Sequence, residues 1–431
     1  MESIVSYDDD DLAVEFDEQP SGQVATEFLT GSAGTGKSYE VNRRIEVNPS
    51  YALIAATTGI AAINLGEGVT TINAALGYFD TESLIDSYVQ GWLTKRLRKI
   101  AKMGYENLVI DEVSMMAAEQ LDCIVKAMDE VGSMGLVLTG DFCQLPPIKA
   151  RWAFEADCWR ERFEGEHVTK LTKCWRQDDV TFLAALAAIR RGDGDQGVEL
   201  LDQCSITYAS NNALDFAGTT LVSKNDEVER FNWVCHSKLT TPAMTVKSFR
   251  WGKQKGEWKL VPERLELKQG AYVMILANKR WNPDDGDGFE YVNGDCGDIV
   301  SVDKTSGVFT VALKRDGREV RVTPITRRNE QKERPADESE RTYFDEIKKR
   351  WIVGEISYVP LRLAYASTVH KSQGLSLDAV QINLTNAFFG SPAMAYVALS
   401  RCRAVSGLRI VGDRDTLRRR VKTDPKVLRF L

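Results

Sequence analysis

Between an apolar run ending at Leu29 and a helical stretch lies a glycine-rich octapeptide: Gly31, Ser32, Ala33, Gly34, Thr35, Gly36, Lys37 and Ser38. Strand, glycine loop and helix in that order are the context that a phosphate-binding loop demands, because the glycines let successive N–H groups converge at a helix N-terminus. Such a point suits phosphate oxygens. Lys37 reaches toward β and γ phosphates, and Ser38 offers a hydroxyl to magnesium. A chance glycine-rich loop is the alternative for the octapeptide alone. A second feature argues against chance: the apolar run 108–110 ends in Asp111 and Glu112. Asp111 is suited to the magnesium shell beside Ser38, and Glu112 to polarising an attacking water.

Four short apolar runs, at 26–29, 53–56, 108–110 and 136–138, are each followed by polar or glycine-bearing residues. They read as parallel strands of an α/β layer, with ligands at their carboxyl ends. At 431 residues the chain has room for roughly two to four domains. A second α/β region is expected from about Leu171, with a helix over 180–191 and strands at 219–222 and 361–364 in one sheet. About 140 residues separate those two strands. In the gap, runs at 299–302, 308–313 and 319–322 alternate with turn compositions at 304–307 and 315–317, which predicts a small inserted antiparallel barrel. The mixed charge run 327–350 reads as a solvated loop or helix face.

Charge is unevenly spread. Residues 1–20 hold eight acidic side chains and no basic one, so the remainder of a chain of net charge −7 carries +1. An acidic arm over 1–25 thus precedes a near-neutral body that has room for a basic groove. Eight scattered cysteines lack the two-residue spacing of zinc or redox motifs, and only three histidines are present. The expectation is reduced, buried thiols. No apolar run reaches the roughly 18–20 residues that span a bilayer, and the acidic start is unlike a secretory or transit peptide. A cytoplasmic protein, nucleoid-associated in a bacterial or phage-infected cell, is expected.

Three further side chains fit a phosphoryl-transfer site. Gln144, in the segment 140–147, could address a γ-phosphate or the water. Arg176 and Arg401, from the second α/β region, could act as arginine fingers whose arrival depends on closure of a cleft. Solvated surface positions are the alternative for each.

Read in order, GSAGTGKS, AATTGIAAINLG (55–66), VTTINAALGY (69–78), VIDEVSMM (109–116), GDFCQLPP, LTKCWRQDD (171–179), STVHKSQGLSLD (367–378) and YVALSRCR (396–403) resemble the petite-integration-frequency helicases and their RecD-like relatives, in the B branch of helicase superfamily one. The resemblance runs from Thr26 to the C-terminus. It implies an α/β fold of two RecA-like P-loop lobes, with a small insertion in the first and an SH3-like β-barrel inserted in the second. On that pattern 26–170 is the first lobe, with its insertion at about 77–104. Residues 171–244 and 356–431 make the second lobe, and 245–355 the barrel and a charged linker.

The activity implied is ATP- and Mg2+-dependent 5′ to 3′ translocation on single-stranded DNA with unwinding at duplex junctions, by a monomer, in replication, repair or recombination. The same resemblance assigns DNA contacts to Thr57, Thr58, Thr71, Asn73, Thr368, His370, Lys371 and Ser372, and nucleotide–DNA coupling to Gln373 and Gly374. Tyr78, Phe79 and Trp92 in the first insertion are candidates for base stacking, with core packing as the alternative. Two departures stand out: the glutamine-bearing helix that reads adenine is replaced by the acidic arm, and the usual Thr-Thr-Ile-His reads Thr-Thr-Ile-Asn73. The residues alone leave open a nucleotide-gated single-strand switch, or a related helicase of other polarity or acting on RNA.

Overall fold

A computed structural model describes residues 23–58, 61–62, 65, 69–255, 258–259, 261–280, 289–303, 305–331, 334–335, 341–346 and 349–431. The acidic arm up to residue 22 lies outside them. Six parallel strands form the first sheet: Thr26–Gly31 (β1), Ala52–Ala56 (β2), Thr70–Thr71 (β3), Asn107–Asp111 (β4), Gly135–Gly140 (β5) and Val168–Leu171 (β6), in the order β3-β2-β4-β5-β1-β6. All four strands expected from the apolar runs are present. Their centres are buried on both faces, which is why they read as continuous apolar runs rather than alternating ones. The glycine loop joins β1 to the helix Lys37–Val47 (α1). Helices Thr81–Val89 and Trp92–Ala101 occupy the stretch 77–104 and pack on the helix Ala118–Val131 through Leu84, Leu93 and Leu97.

The second sheet holds five parallel strands in the order Ala366–Thr368, Thr219–Val222, Val380–Asn383, Leu408–Val411 and Thr207–Ala209. Here one expectation is corrected. The run 361–364 does not pair with Thr219–Val222; Leu361–Leu363 is instead the edge strand beside Tyr272–Ile275 in the inserted sheet. The chain crosses between sheets at Ala364 and Tyr365. The Ala364 N–H donates to the Tyr272 carbonyl at 3.0 Å, and the Thr220 N–H to the Tyr365 carbonyl at 2.8 Å. Two short apolar segments side by side carry no local sign of which sheet each joins.

The inserted region holds a five-stranded antiparallel sheet in the order Glu319–Val322, Val308–Leu313, Cys296–Asp303, Tyr272–Ile275 and Leu361–Leu363, with its own core around Phe309, Val311, Val273 and Ile299. The charge run is also corrected: Ile325–Gln331 and Tyr343–Asp345 are strands paired with Arg350–Tyr358. Ile325 packs against Trp258, Ile356 and Tyr358 and the Arg327 guanidinium lies over the Tyr358 ring, so this strand carries one apolar residue among polar and charged ones and shows no apolar period of two.

The C-terminal helix Pro425–Phe430 clips the second lobe onto the first. Phe430 stacks on Phe154 with centroids 4.5 Å apart and meets Phe142 and Trp159 edge-on. Asp424 accepts from the Trp152 indole at 3.1 Å, and Lys426 pairs with Glu155 at 2.7 Å. Phe430→Ala is expected to destabilise the protein by roughly 2–3 kcal/mol, less than a fully buried phenylalanine would. A thermal midpoint that fails to drop would show that this aromatic contact does not hold the lobes.

Candidate functional site

The lobes meet over the glycine loop. Gly34 and Gly36 both sit at φ +84°, a left-handed conformation that β-carbons resist. At Gly34 space is equally restrictive: a Cβ there would lie 2.7 Å from Arg176 Cβ and 3.0 Å from Cys174 Sγ. The Trp175 N–H donates to the Gly34 carbonyl at 2.8 Å, pinning the segment 174–176 to the loop.

One cavity of about 180 Å³ gathers Lys37, Ser38, Asp111, Glu112, Gln144, Arg176, Gly374 and Arg401. Every residue singled out in the sequence for catalysis therefore lines a single space. Lys37 Nζ donates to the loop carbonyls of Gly31 and Ser32 at 2.9 and 3.1 Å. Burial lowers its pKa, and the carboxylates of Asp141, Glu112 and Asp111 oppose that shift. Ser38 Oγ donates to Asp111 Oδ2 at 3.0 Å, while Asp111 Oδ1 accepts from the Thr139 hydroxyl and the Glu112 N–H. Two hard oxygen donors thus stand together where magnesium would be held.

Glu112 follows β4 in a left-handed conformation, φ 58°. Burial raises its pKa first and Asp111 second, against the pull of Lys37, Arg401 and a hydrogen bond from Gln373. A carboxyl so placed is suited to accepting a proton. Gln144 is buried and its amide oxygen has no partner among the described residues, an orphan polar group aimed at a site that exchanges water and phosphate. Both arginines rest on the second lobe. Arg176 Nε donates to Ser376 Oγ at 2.7 Å and Nη1 to the Ser400 carbonyl at 3.0 Å, and burial pulls its pKa down to about 9. Arg401, 1% exposed, donates to the Val397 carbonyl and to Ser400 Oγ.

Sequence reasoning missed two groups here. Asp141, fully buried, is gripped by Arg190 Nη2 at 2.7 Å and by the Tyr396 hydroxyl at 3.3 Å, while that hydroxyl accepts from the Ala33 N–H at 2.9 Å. Tyr39 and Trp175, 72% and 68% exposed, flank Gly36 at the cavity mouth. Tyr39 directly follows Ser38 and Trp175 directly precedes Arg176, so an aromatic side chain beside a motif residue is the signal the sequence carries for them.

The proposed DNA residues divide. Thr57 and Thr58 follow β2, and Thr57 Oγ1 donates to the Glu112 carbonyl at 2.9 Å. Thr71 caps the helix Ile72–Leu76, and Asn73 Nδ2 donates to the Phe79 carbonyl at 3.1 Å. His370 is exposed and Lys371 half-buried. Thr368 and Ser372 are buried: the Thr368 hydroxyl accepts from the Lys371 N–H and Ser372 Oγ donates to the Val369 carbonyl, so both shape the turn and neither side chain is presented to a ligand. Among the aromatic candidates, Phe79 and Trp92 are exposed, whereas Tyr78 belongs to the core.

Residues 20–210 match the AAA domain family. Over 94% of its length the chain is 31% identical to the ATP-dependent DNA helicase Pif1 of Bdellovibrio bacteriovorus, of which it spans 87%. It is equally similar, over the same share, to the ATP-dependent DNA helicase PIF1 of Homo sapiens, of which it spans 60%. The crystal structure of the Pif1 helicase from Bacteroides in complex with ADP-AlF3 and ssDNA aligns at a TM-score of 0.55 and 25% identity, over 96% of this chain and 93% of that one.

Gly34→Ala and Gly77→Ala should separate strain from collision. Both positions are left-handed, but a Cβ at Gly77 meets nothing within 4 Å. The left-handed conformation alone is expected to cost each variant about 1–2 kcal/mol in stability, with the collision adding to that in Gly34→Ala. Only Gly34→Ala should also weaken nucleotide binding, by tenfold or more on the order of one collision-sized penalty, measured with a fluorescent nucleotide. Equal binding in the two variants would remove the Arg176 contact from the site.

Proposed function

The chain belongs to the Pif1 family of ATP-dependent DNA helicases, and from that membership we propose that its cleft hydrolyses ATP to drive 5′ to 3′ movement on single-stranded DNA and unwinding of the duplex ahead. The observation that carries the reading is the joint construction of one cavity: Lys37, Ser38, Asp111, Glu112 and Gln144 come from the first lobe and Arg401 from the second. A site split in this way is complete only when the lobes are together, so its chemistry and their relative position are linked.

The loop N–H groups and Lys37 bind the β and γ phosphates, and Tyr39 and Trp175 offer a stacking platform to the base. Ser38 and Asp111 hold the magnesium, which when bound neutralises phosphate charge. Glu112 takes the proton of the attacking water and Gln144 orients that water. Arg176 and Arg401 leave their carbonyl partners to stabilise charge on the transferred phosphoryl group. Opening a base pair costs on the order of 1.4 kcal/mol of stacking, within reach of one nucleotide cycle.

Thr57, Thr58, Thr71, Asn73, His370 and Lys371 are assigned to the strand's backbone, contacts that ignore base identity as a translocase requires. Phe79 and Trp92 are assigned to bases or to the junction. The inserted five-stranded sheet is assigned as an SH3-like barrel. The second lobe is taken to resume at Ala364, since Leu361–Leu363 pairs within the insertion. Work as a monomer, at replication or repair junctions in the nucleoid, fits this assignment; no described helix is long and apolar enough to cross a membrane.

Two otherwise identical duplexes, one with a 5′ tail and one with a 3′ tail, test the proposal. Opening of the 5′-tailed substrate alone, lost in Lys37→Ala, is the expected result. Equal opening of both would reject the polarity, and neither opening despite ATP turnover would reduce the protein to a gated clamp.

A further inference from the structure

Glu112 is held from both lobes at once. Gln373, 261 residues further along the chain, donates from Nε2 to Glu112 Oε2 at 3.0 Å. On the opposite side, Thr57 donates through its N–H to the Asp111 carbonyl at 3.1 Å and through Oγ1 to the Glu112 carbonyl at 2.9 Å, holding Glu112 in its left-handed conformation. Each holder sits in a segment that the functional reading gives to single-stranded DNA.

The backbone of Gln373 is wound into a hydrogen-bonded turn. The Lys371 N–H donates to Thr368 Oγ1, the Ser372 N–H and hydroxyl both donate to the Val369 carbonyl, the Gln373 N–H donates to the His370 carbonyl, and the Leu375 N–H donates to the Ser372 carbonyl. This wound turn is backed by the buried side chains of Thr368, Val369 and Ser372, with His370 on its outer side. A ligand that shifts the backbone at His370 and Lys371 therefore carries the backbone of Gln373 with it. Gly374 follows at φ +80°, the point at which the backbone can swivel.

We infer that Gln373 is a positioning residue that clasps Glu112 in the DNA-free protein, and that a single strand seated on the turn 368–372 withdraws it and frees the carboxylate for the water. While the amide donates to Oε2 at 3.0 Å, that oxygen is occupied and turned toward Gln373 rather than open to an attacking water. The inference rests on the ATPase reading of the cleft and gives it a sign: the resting clasp restrains turnover, and DNA stimulates by release. The reaction is unaltered; the proton passes from water to Glu112 as before, with the nearby amide moved away.

The test compares ATP turnover without DNA and with saturating oligo-dT in wild type and Gln373→Leu. A hydrogen bond to a charged group corresponds to a factor of roughly ten to a hundred in an equilibrium. Loss of the clasp should therefore raise the DNA-free rate about tenfold, leave the KM for ATP unchanged, and lower the ratio of stimulated to basal rate. Gln373→Met, closer to glutamine in length, should behave the same, and both variants should keep the wild-type thermal midpoint. A merely structural role would lower both rates together or shift KM; either outcome overturns the clasp, as does an unchanged DNA-free rate. Wild-type protein without Lys37-dependent turnover would overturn the ATPase reading and the clasp with it. DNA-stimulated wild-type turnover with an unaltered ratio in both variants would overturn the clasp alone.

Discussion

Asp141 is the contact on which the two lobes depend. Its carboxylate has no exposure, and its principal charged partner, Arg190, comes from the helix Val180–Arg190 beyond the first sheet. Breaking a buried pair by removing one partner costs roughly 3–5 kcal/mol, because the other charge is left without solvent or counter-ion. The Tyr396 hydroxyl ties the same carboxylate to the Ala33 N–H of the glycine loop. A buried charge on the first lobe thereby sets where the second lobe stands and how it meets the phosphate site. Sheet packing alone, being non-directional, would leave that angle loose.

From this contact the asymmetry of the interface follows. The glycine loop needs Gly34 because the segment carrying Cys174 and Arg176 presses against it, and that segment is in turn strapped to the second lobe by Gln177, which donates to the Ser400 and Cys402 carbonyls at 3.2 and 2.8 Å. Near the loop the lobes are therefore joined by short polar bonds, and at the C-terminus by the aromatic contact of Phe430. Short directional bonds are broken by small displacements, whereas stacked rings tolerate sliding.

What the sequence disclosed tracks the range of the physics involved. The glycine loop, Asp111 and Glu112 were legible because each motif is local and its strand is a continuous apolar run. The inserted antiparallel strands were legible from turns such as 315–317. Illegible features were those set by distant partners. The strand Leu361–Leu363 joins the inserted sheet through backbone pairing with Tyr272–Ile275, some ninety residues away, and no side-chain pattern marks that choice. Arg327 and Arg328 lie in a strand whose one apolar residue is Ile325, so no apolar alternation marks it. Ser372 and Thr368 have the chemistry of phosphate contacts, yet their hydroxyls are consumed in winding the turn; a polar residue type does not say whether its hydrogen bonds point in or out.

The cavity's own charges complete the account. Lys37, Arg176 and Arg401 line it against Asp111 and Glu112, leaving one positive charge in excess within a buried space. Burial lowers the pKa of all three cations and raises that of Glu112, so the charged forms of these four groups are held under a desolvation penalty that folding has already met. A polyanion entering this space relieves the cations without further loss of water from them, the condition under which fixed charges act most strongly on developing negative charge. The carbonyls of Gly31, Ser32, Val397 and Ser400 meanwhile satisfy Lys37 and the arginines as neutral, replaceable partners. Had carboxylates held those positions, phosphate would have to displace full charges. Neutral carbonyls let the same side chains be stable at rest and available to the nucleotide, which a motor that repeats its cycle needs at every step.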